Sequence, residues 1–284
     1  MLKIFLSGGN GFIGKNIQQY LATKYQITAP NSKELNLLDT RAVDNYFKNK
    51  KFDILLNAAA TGVSREQNQD VLKNNLLIFS NLLRQNKSYA KFIQCGSGAE
   101  YDKSRPLKKI KETAWGETIP HDDYGLGKYL ASQISSQHSK VLILRFFGLF
   151  GEYENFKQRF ISQNIINYIT KKDLAINQNC YFDFLDILDL MPILDWFFTH
   201  KHKYQAYNIG SGQRISLLQI ARQINSLSKH KAKIILKNKK LNLEYSCDIA
   251  RLQKEIKNLQ FTPLDLSLPR LYNWYQQHQL WLKN

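Results

Sequence analysis

Tyr124-Gly125-Leu126-Gly127-Lys128 places a phenol and an ammonium four residues apart. On a helix this spacing puts both side chains on one face, one turn from each other. There the cation favours the phenolate and draws a tyrosine pKa down from its ordinary value of about 10, so that the phenol can exchange a proton with a carbonyl or alcohol oxygen. The pattern is common on helix surfaces and gains weight only beside a second site. That second site is Ser7-Gly8-Gly9-Asn10-Gly11-Phe12-Ile13-Gly14, which follows an apolar run and opens a helical pattern. It satisfies G-x-G-x-x-G from Gly9 and G-x-x-G-x-x-G from Gly8. Glycines there allow a tight turn and bring backbone amides, including those of Phe12 and Ile13, against a dinucleotide pyrophosphate at a helix N-terminus. Ser97 closes the run Phe92-Ile93-Gln94-Cys95-Gly96. Strand C-termini line the ligand crevice of a parallel sheet, so its hydroxyl can donate to the same oxygen that Tyr124 protonates.

The nucleotide expected on the glycine loop is a nicotinamide dinucleotide. An NAD-selective pocket carries an acid at the tip of the second strand. Here that tip reads Ala29-Pro30-Asn31-Ser32-Lys33. With no acid and with Ser32 and Lys33 as contacts, NADP(H) is favoured; nearby Glu34 keeps NAD(H) open.

The elements that must position these groups alternate along the first half of the chain. β-rich runs (Lys3–Ser7, Tyr25–Pro30, Phe52–Ala59, Lys91–Ser97, Val141–Phe147) are interleaved with helical patterns (Gly11–Lys24, Thr40–Asn49, Gln69–Asn86, Tyr124–His138). Ile54-Leu55-Leu56 and Val141-Leu142-Ile143-Leu144 are continuously apolar, as strands covered on both faces are. The expectation is an α/β fold, a doubly wound parallel sheet of the Rossmann type. Residues 1–150 would form the dinucleotide-binding core, with 181–207 returning to it. Residues 151–180 and 208–284 would form a smaller substrate-binding lobe. The lobe's expected elements are a helix over Phe156–Thr170, a strand-like run Cys180–Leu185, a helix Leu190–Phe198, a strand Ala206–Ile209, and helices Ser216–Leu227 and Pro263–Gln279.

At 284 residues, with 43% hydrophobic and 12% aromatic content, the chain can bury a substantial core. Three widely spaced cysteines, Cys95, Cys180 and Cys247, fit neither a disulfide framework nor a zinc site, and point to a reducing compartment. The N-terminus reads as a first strand rather than a signal peptide. No apolar run approaches the roughly 18 residues a membrane span needs. A cytoplasmic protein without membrane attachment is expected. The 40 Lys and Arg against 23 Asp and Glu give a net charge of +17, which raises the question of nucleic acid. The lysines are scattered, and the densest groups, at 48–51 and 237–240, lie between elements. A field of this sign also helps capture a dianionic small substrate, so no nucleic-acid partner is expected.

Together these motifs resemble the extended short-chain dehydrogenases that act on nucleotide sugars, and most of all the GDP-L-fucose synthase branch. The likeness rests on the glycine loop, Glu34-Leu35-Asn36-Leu37-Leu38-Asp39-Thr40-Arg41-Ala42-Val43, Asn57-Ala58-Ala59-Ala60, and Leu144-Arg145-Phe146-Phe147-Gly148-Leu149-Phe150-Gly151. It continues through Phe182-Asp183-Phe184-Leu185-Asp186-Ile187 and Tyr207-Asn208-Ile209-Gly210-Ser211-Gly212. The resemblance implies that Gly8, Gly11, Phe12, Ile13 and Gly14 hold the cofactor, Asp39 faces the adenine, and Ala58 and Ala59 line the dinucleotide. Ser97, Tyr124 and Lys128 would form the triad, with Lys128 also on the nicotinamide ribose. It further implies a homodimer through the helices at Gln69–Asn86 and Tyr124–His138.

The chain also departs from the family. Dehydratases of this family carry an Asp-Glu pair after the catalytic Ser or Thr; Gly98 and Ala99 stand here. The cysteine and histidine that epimerise in GDP-L-fucose synthase fall at Ala99 and near Arg159. Alanine carries no proton and arginine stays protonated, so neither replaces an acid–base pair. Glu100 is either a substitute base or a structural carboxylate. A diphosphate-binding arginine is replaced by Phe182, leaving Lys157 and Arg159 as candidate phosphate contacts beside Ser97 and Gly98, while His121 reads as a loop residue. The resulting expectation is reduction of the C4 ketone of a nucleotide-linked 4-keto-6-deoxy sugar without epimerisation. The alternatives are a 4-epimerase with tightly held NAD(P) and a non-catalytic cofactor-sensing or RNA-associated protein.

Overall fold

The computed structural model describes residues 1–61 and 70–279. Its first half runs β1 (Lys3–Ser7), α1 (Phe12–Leu21), β2 (Gln26–Thr28), α2 (Thr40–Phe47), β3 (Phe52–Asn57), α3 (Val71–Leu83), β4 (Tyr89–Ser97), β5 (Leu107–Ile110), α4 (Asp123–Ser135) and β6 (Val141–Phe146). The second half runs β7 (Leu149–Phe150), α5 (Phe160–Ile169), β8 (Leu174–Gln178), β9 (Tyr181–Phe182), β10 (Leu185–Asp186), α6 (Ile187–Thr199) and β11 (Ala206–Ile209). It closes with β12 (Ile215–Ser216), α7 (Leu217–Ile224), β13 (Ile234–Asn238), β14 (Tyr245–Cys247), α8 (Ala250–Glu255) and α9 (Leu264–His278). Gln69, the first residue of the helix expected over Gln69–Asn86, lies outside the described residues.

A six-stranded sheet in the order β11-β6-β4-β3-β1-β2, parallel throughout, carries the molecule. Successive strand residues point to opposite faces, and both faces are dry. Ile4, Leu6, Ile54, Leu56, Ile93 and Leu144 pack with Ile17 and Leu21 of α1 and with Leu190, Leu194 and Phe197 of α6. On the other face Phe5, Leu55, Phe92 and Ile143 meet Val43 and Phe47 of α2, Phe79 and Leu82 of α3, and Ala131 of α4. This is the doubly wound α/β architecture that the alternation of apolar runs and helical patterns implies.

A third core, built from α5, α7 and α9 with β8, belongs to the lobe. Core and lobe are interleaved. β5, from the first half of the chain, joins a lobe sheet ordered β12-β9-β14-β5, whereas α6 packs on α1 and β11 closes the main sheet. The run Cys180–Leu185 is not one strand but two short ones, because Asp183 between them is buried and takes the amides of Ser211 and Gly212 at 2.8 and 3.0 Å. The helix expected from Phe156 starts only at Phe160. β8 and β13 form a separate two-stranded parallel sheet. No described helix is long and apolar enough to cross a membrane.

Candidate active site

The glycine loop joins β1 to α1. Gly8 has φ +71°, and a Cβ there would lie 2.7–2.9 Å from the backbone of Ala58 and Ala59, so only glycine lets the end of β3 approach this closely. A Cβ on Gly14 would overlap the Gly8 carbonyl oxygen, which keeps the first turn of α1 against the loop. Gln18 pins the loop from within, its Nε2 donating to the Gly9 carbonyl at 2.7 Å. Gly11 is the N-cap of α1 and offers no side-chain cap, so the first amides of the helix, at Phe12 and Ile13, have no side-chain acceptor. Uncapped amides at the positive end of a helix behind a side-chain-free cradle fit the diphosphate of a dinucleotide.

The other expected cofactor residues surround this loop unevenly. Ser32 and Lys33 are exposed at the tip of β2. The Glu34 carboxylate accepts from the Asn31 amide at 2.8 Å, while the Asn31 side chain accepts from the Lys33 amide at 2.9 Å. Glu34 therefore closes its own turn. Asp39 is exposed and caps α2, accepting from the Ala42 amide at 3.0 Å. Beneath the loop runs a buried polar chain absent from the sequence reading. Ser7 Oγ donates to Asn57 Oδ1 at 2.5 Å, Asn57 Nδ2 to Gln94 Oε1 at 2.8 Å, and Gln94 Nε2 to the Cys95 carbonyl at 3.2 Å.

Lys128, only 6% exposed, donates to that same Cys95 carbonyl at 2.7 Å, and its Nζ lies 5.8 Å from the centre of the Tyr124 ring. The structure thus brings the two residues of the Y-x-x-x-K motif together at the end of β4. Two devices set α4 in this position. Asp122 caps it by accepting from the Gly125 amide at 2.9 Å, and a Cβ on Gly125 would lie 2.8 Å from the Ala99 carbonyl oxygen. The first turn of α4, carrying Tyr124, therefore presses on the turn after Ser97. Burial pushes the Cys95 thiol up to about 12, slightly offset by the Lys128 cation, so the thiol beside the lysine stays protonated.

Ser97 ends β4 and caps a short 3₁₀ turn, Gly98–Tyr101, its Oγ accepting from the Ala99 amide at 3.1 Å. Glu100 is fully buried. One of its oxygens accepts from the Ser97 amide at 3.0 Å; the other accepts from Ser132 Oγ at 2.5 Å and from Arg145 Nε at 2.7 Å. Ser132 extends the Tyr124–Lys128 stripe by one further turn. Of the two roles open to Glu100, the geometry gives the structural one: its lone pairs hold the serine turn, helix α4 and strand β6 together. Burial alone would lower the Arg145 pKa, but the adjacent Glu100 charge holds it above its ordinary value.

The lobe side is aromatic. Phe182 lies 4.8 Å from the Tyr245 ring and 5.0 Å from Phe184, and Phe147 lies 4.9 Å from Tyr245. The Tyr245 hydroxyl lies at the turn after Ser97, where a Cβ on Gly98 would overlap it, and burial holds its pKa well above the phenol range. Arg159, exposed at the N-cap of α5, acts on buried Glu154. Lys157 is exposed in the same loop, and no side-chain bond ties it to Ser97. His121 is exposed in the loop before α4. Sequence reasoning missed Ser132, Gln94, Asn57 and Tyr245. Only Ser132 left a local signal, its spacing of four from Lys128.

A parallel doubly wound sheet, a glycine cradle for a dinucleotide and a Tyr-Lys pair at the end of the fourth strand define a short-chain dehydrogenase-like nucleotide-binding protein. Residues 4–210 match the NAD dependent epimerase/dehydratase family, and the chain belongs to that family, whose members are NAD(P)-dependent enzymes acting on nucleotide sugars. Among curated proteins it is similar to a dTDP-D-glucose 4,6-dehydratase of Dictyostelium discoideum, 26% identical over 275 residues, covering 80% of this chain and 62% of that protein's length. Among solved structures it superposes on a GDP-L-fucose synthetase from Naegleria fowleri with a TM-score of 0.84, at 17% identity over 98% of this chain and 94% of that one. The Campylobacter jejuni GDP-mannoheptose C4 reductase MlghC, with NADP bound, gives a TM-score of 0.83 at 17% identity, over 97% of this chain and 98% of that one.

Proposed function

We propose that this chain reduces the C4 ketone of a nucleotide-linked 4-keto-6-deoxy sugar without epimerising the ring. One observation carries the reading. Ser97 ends β4, and Lys128 bonds the Cys95 carbonyl of that strand 5.8 Å from the centre of the Tyr124 ring, while the positions after the serine are Gly98 and Ala99, and the next carboxylate, Glu100, is spent on Arg145, Ser132 and the Ser97 amide. One proton-transfer group suffices for ketone reduction; elimination of water or inversion at C3 or C5 needs a further acid–base pair. The dehydratase relative covers most of the chain, but its named reaction calls for groups these positions lack.

NAD(P)H, when bound, supplies the hydride to C4. Ser97 donates a hydrogen bond to the C4 oxygen, Tyr124 gives that oxygen its proton, and the Lys128 ammonium, one helical turn away, offsets the negative charge left on the phenol oxygen. NADP(H) is the favoured cofactor, on the acid-free tip at Ser32 and Lys33, with Glu34 turned onto its own backbone; the NADP named for MlghC agrees. Gly8, Gly11 and Gly14, Phe12 and Ile13, and Ala58 and Ala59 would hold the dinucleotide, with Asp39 toward the adenine. Arg159 and Lys157 would meet the substrate diphosphate beside Ser97 and Gly98. A cytoplasmic homodimer using the paired helices α3 and α4 belongs to the same proposal.

The test is a panel of nucleotide-linked 4-keto-6-deoxy sugars with NADPH and NADH in deuterated water. The expected result is one cofactor oxidised per sugar reduced, a lower KM for NADPH, and no deuterium at C3 or C5. Deuterium at either carbon, or cofactor that is retained and never consumed, would contradict it.

A further inference from the structure

Helix α1, which begins at the glycine loop, reaches the lobe through Lys15, Asn16 and Tyr20, and all three meet one turn, Glu152-Tyr153, just after β7. Asn16 is fully buried. Its Nδ2 donates to two carbonyls at once, that of Phe12 at 2.9 Å and that of Glu152 at 2.9 Å. Two carbonyl partners can be met only by the amide nitrogen, which fixes the orientation of the side chain; its Oδ1 has no partner among the described residues. Tyr20 donates to the Glu152 carboxylate at 3.1 Å, and the Lys15 ammonium lies 5.3 Å from the centre of the Tyr153 ring.

This turn has to be held. Tyr153 has φ +65°, a left-handed conformation that a residue with a bulky side chain disfavours. Such a backbone persists where its surroundings over-determine it. Here they are α1 on one side and Trp274, 5.1 Å from the Tyr153 ring, on the other. Lys157 and Arg159 follow on the same segment. Phe12 connects the turn to the cofactor cradle. Its amide is one of the uncapped amides that suit a dinucleotide diphosphate, and its carbonyl is one of the two that Asn16 holds. A diphosphate accepting from the first turn of α1 would restrain Phe12 and, through the Asn16 amide, the Glu152 backbone. We propose that Asn16 is a positioning residue that transmits occupancy of the glycine cradle to the segment 152–159, so that the dinucleotide and a diphosphate-bearing substrate each bind more tightly with the other present. Tyr20 adds a second bond to the same turn. The substrate side of this coupling rests on the reading of Lys157 and Arg159 as diphosphate contacts; the link from cofactor to turn does not.

Hydrogen exchange of the full chain, followed by mass spectrometry with and without saturating NADP⁺ or NAD⁺, whichever binds more tightly, reads the link without any substrate. In the wild type the dinucleotide is expected to slow exchange in peptides covering 8–14 and in those covering 152–159, the latter by about fivefold. In Asn16→Ala the first effect is expected to remain and the second to fall below about twofold. A purely structural asparagine would instead raise exchange in the turn equally with and without the dinucleotide. That unchanged ratio would overturn the proposal, as would a wild-type turn that ignores the cofactor. Tyr20→Phe removes one hydroxyl from a residue 37% exposed and opens no buried cavity. It is expected to cut the cofactor effect on 152–159 by about half, and an undiminished effect would overturn the proposal even where Asn16→Ala does not fold. In turnover, Asn16→Ala is expected to raise the KM for the nucleotide sugar roughly tenfold and to keep kcat within about twofold, since Ser97, Tyr124 and Lys128 are untouched. A KM moved less than about twofold would overturn the coupling to substrate. A chain that reduces none of the sugars would defeat the ketoreductase reading, while the exchange experiment would still decide the role of Asn16.

Discussion

Tyr124 owes its place to the small residue beside it. Gly125 lets the first turn of α4 sit on the Ala99 carbonyl, which brings the phenol to the serine turn, and Lys128 follows one helical turn behind with its ammonium fixed on the Cys95 carbonyl. Removing the phenolic oxygen would take away the proposed proton donor and little else. Tyr124→Phe is expected to lower kcat by about 10²–10³, the usual scale for a lost general acid, and to leave the dissociation constant for NAD(P)H within about twofold, measured by fluorescence titration. A loss confined to cofactor affinity would assign Tyr124 to binding. The glycine loop and the Tyr-Lys pair are legible in the sequence because each is written within eight residues or fewer, where a fixed turn or helix period converts spacing into geometry. Glu100 with Arg145, and Tyr245 with Gly98, are not, because their meeting depends on which strands become neighbours.

Two elements hold the site open from opposite sides. On the core side, β4, its 3₁₀ turn and α4 are tied by the buried Glu100–Arg145 pair, 0% and 3% exposed, in which losing one partner would strand the other's charge. On the lobe side, the segment before α5 carries Glu154, which is buried and bonded to Ser162. Burial pushes its carboxyl up to about 8, and the Ser162 bond and the Arg159 charge offset only part of this. An unfolded glutamate titrates near 4.3, so between that pH and about 8 the folded chain retains a proton that the unfolded chain releases. The contribution of this group to stability therefore falls as pH rises through that window, by at most about 1.4 kcal/mol per pH unit. The melting temperature of the wild type is expected to drop more steeply from pH 6 to pH 8 than that of Glu154→Gln. Parallel slopes by calorimetry would place the proton elsewhere. At this scale the core elements were readable from continuously apolar strands and period-3.6 helices. The short lobe strands were not: Leu107-Lys108-Lys109-Ile110 and Tyr245-Ser246-Cys247 carry too few residues to show a period, and they become strands by pairing with each other and, at Tyr245, with Phe182 of β9.

As a whole, the molecule wraps a small lobe around the carboxyl ends of a parallel sheet, and the chain crosses between the two more than once. β5 passes into the lobe sheet, and α6 and β11 return to the core. Such interleaving places Gly98 from the core against Tyr245 from the lobe without a long hinge between them. The net charge of +17 gives the surface a field that suits a substrate carrying a diphosphate. The pairing of lobe to core was the least legible part of the sequence, since no local pattern states which distant strand will lie beside which. The most direct test of the account uses NADPH deuterated at the transferable C4 position of its nicotinamide, incubated with the protein and a nucleotide-linked 4-keto-6-deoxy sugar, with the product read by mass spectrometry and NMR. The account predicts one deuterium in the product, bonded to the sugar C4, and none in the Tyr124→Phe control on the same timescale. A product without deuterium, or with label at another ring carbon, would contradict it.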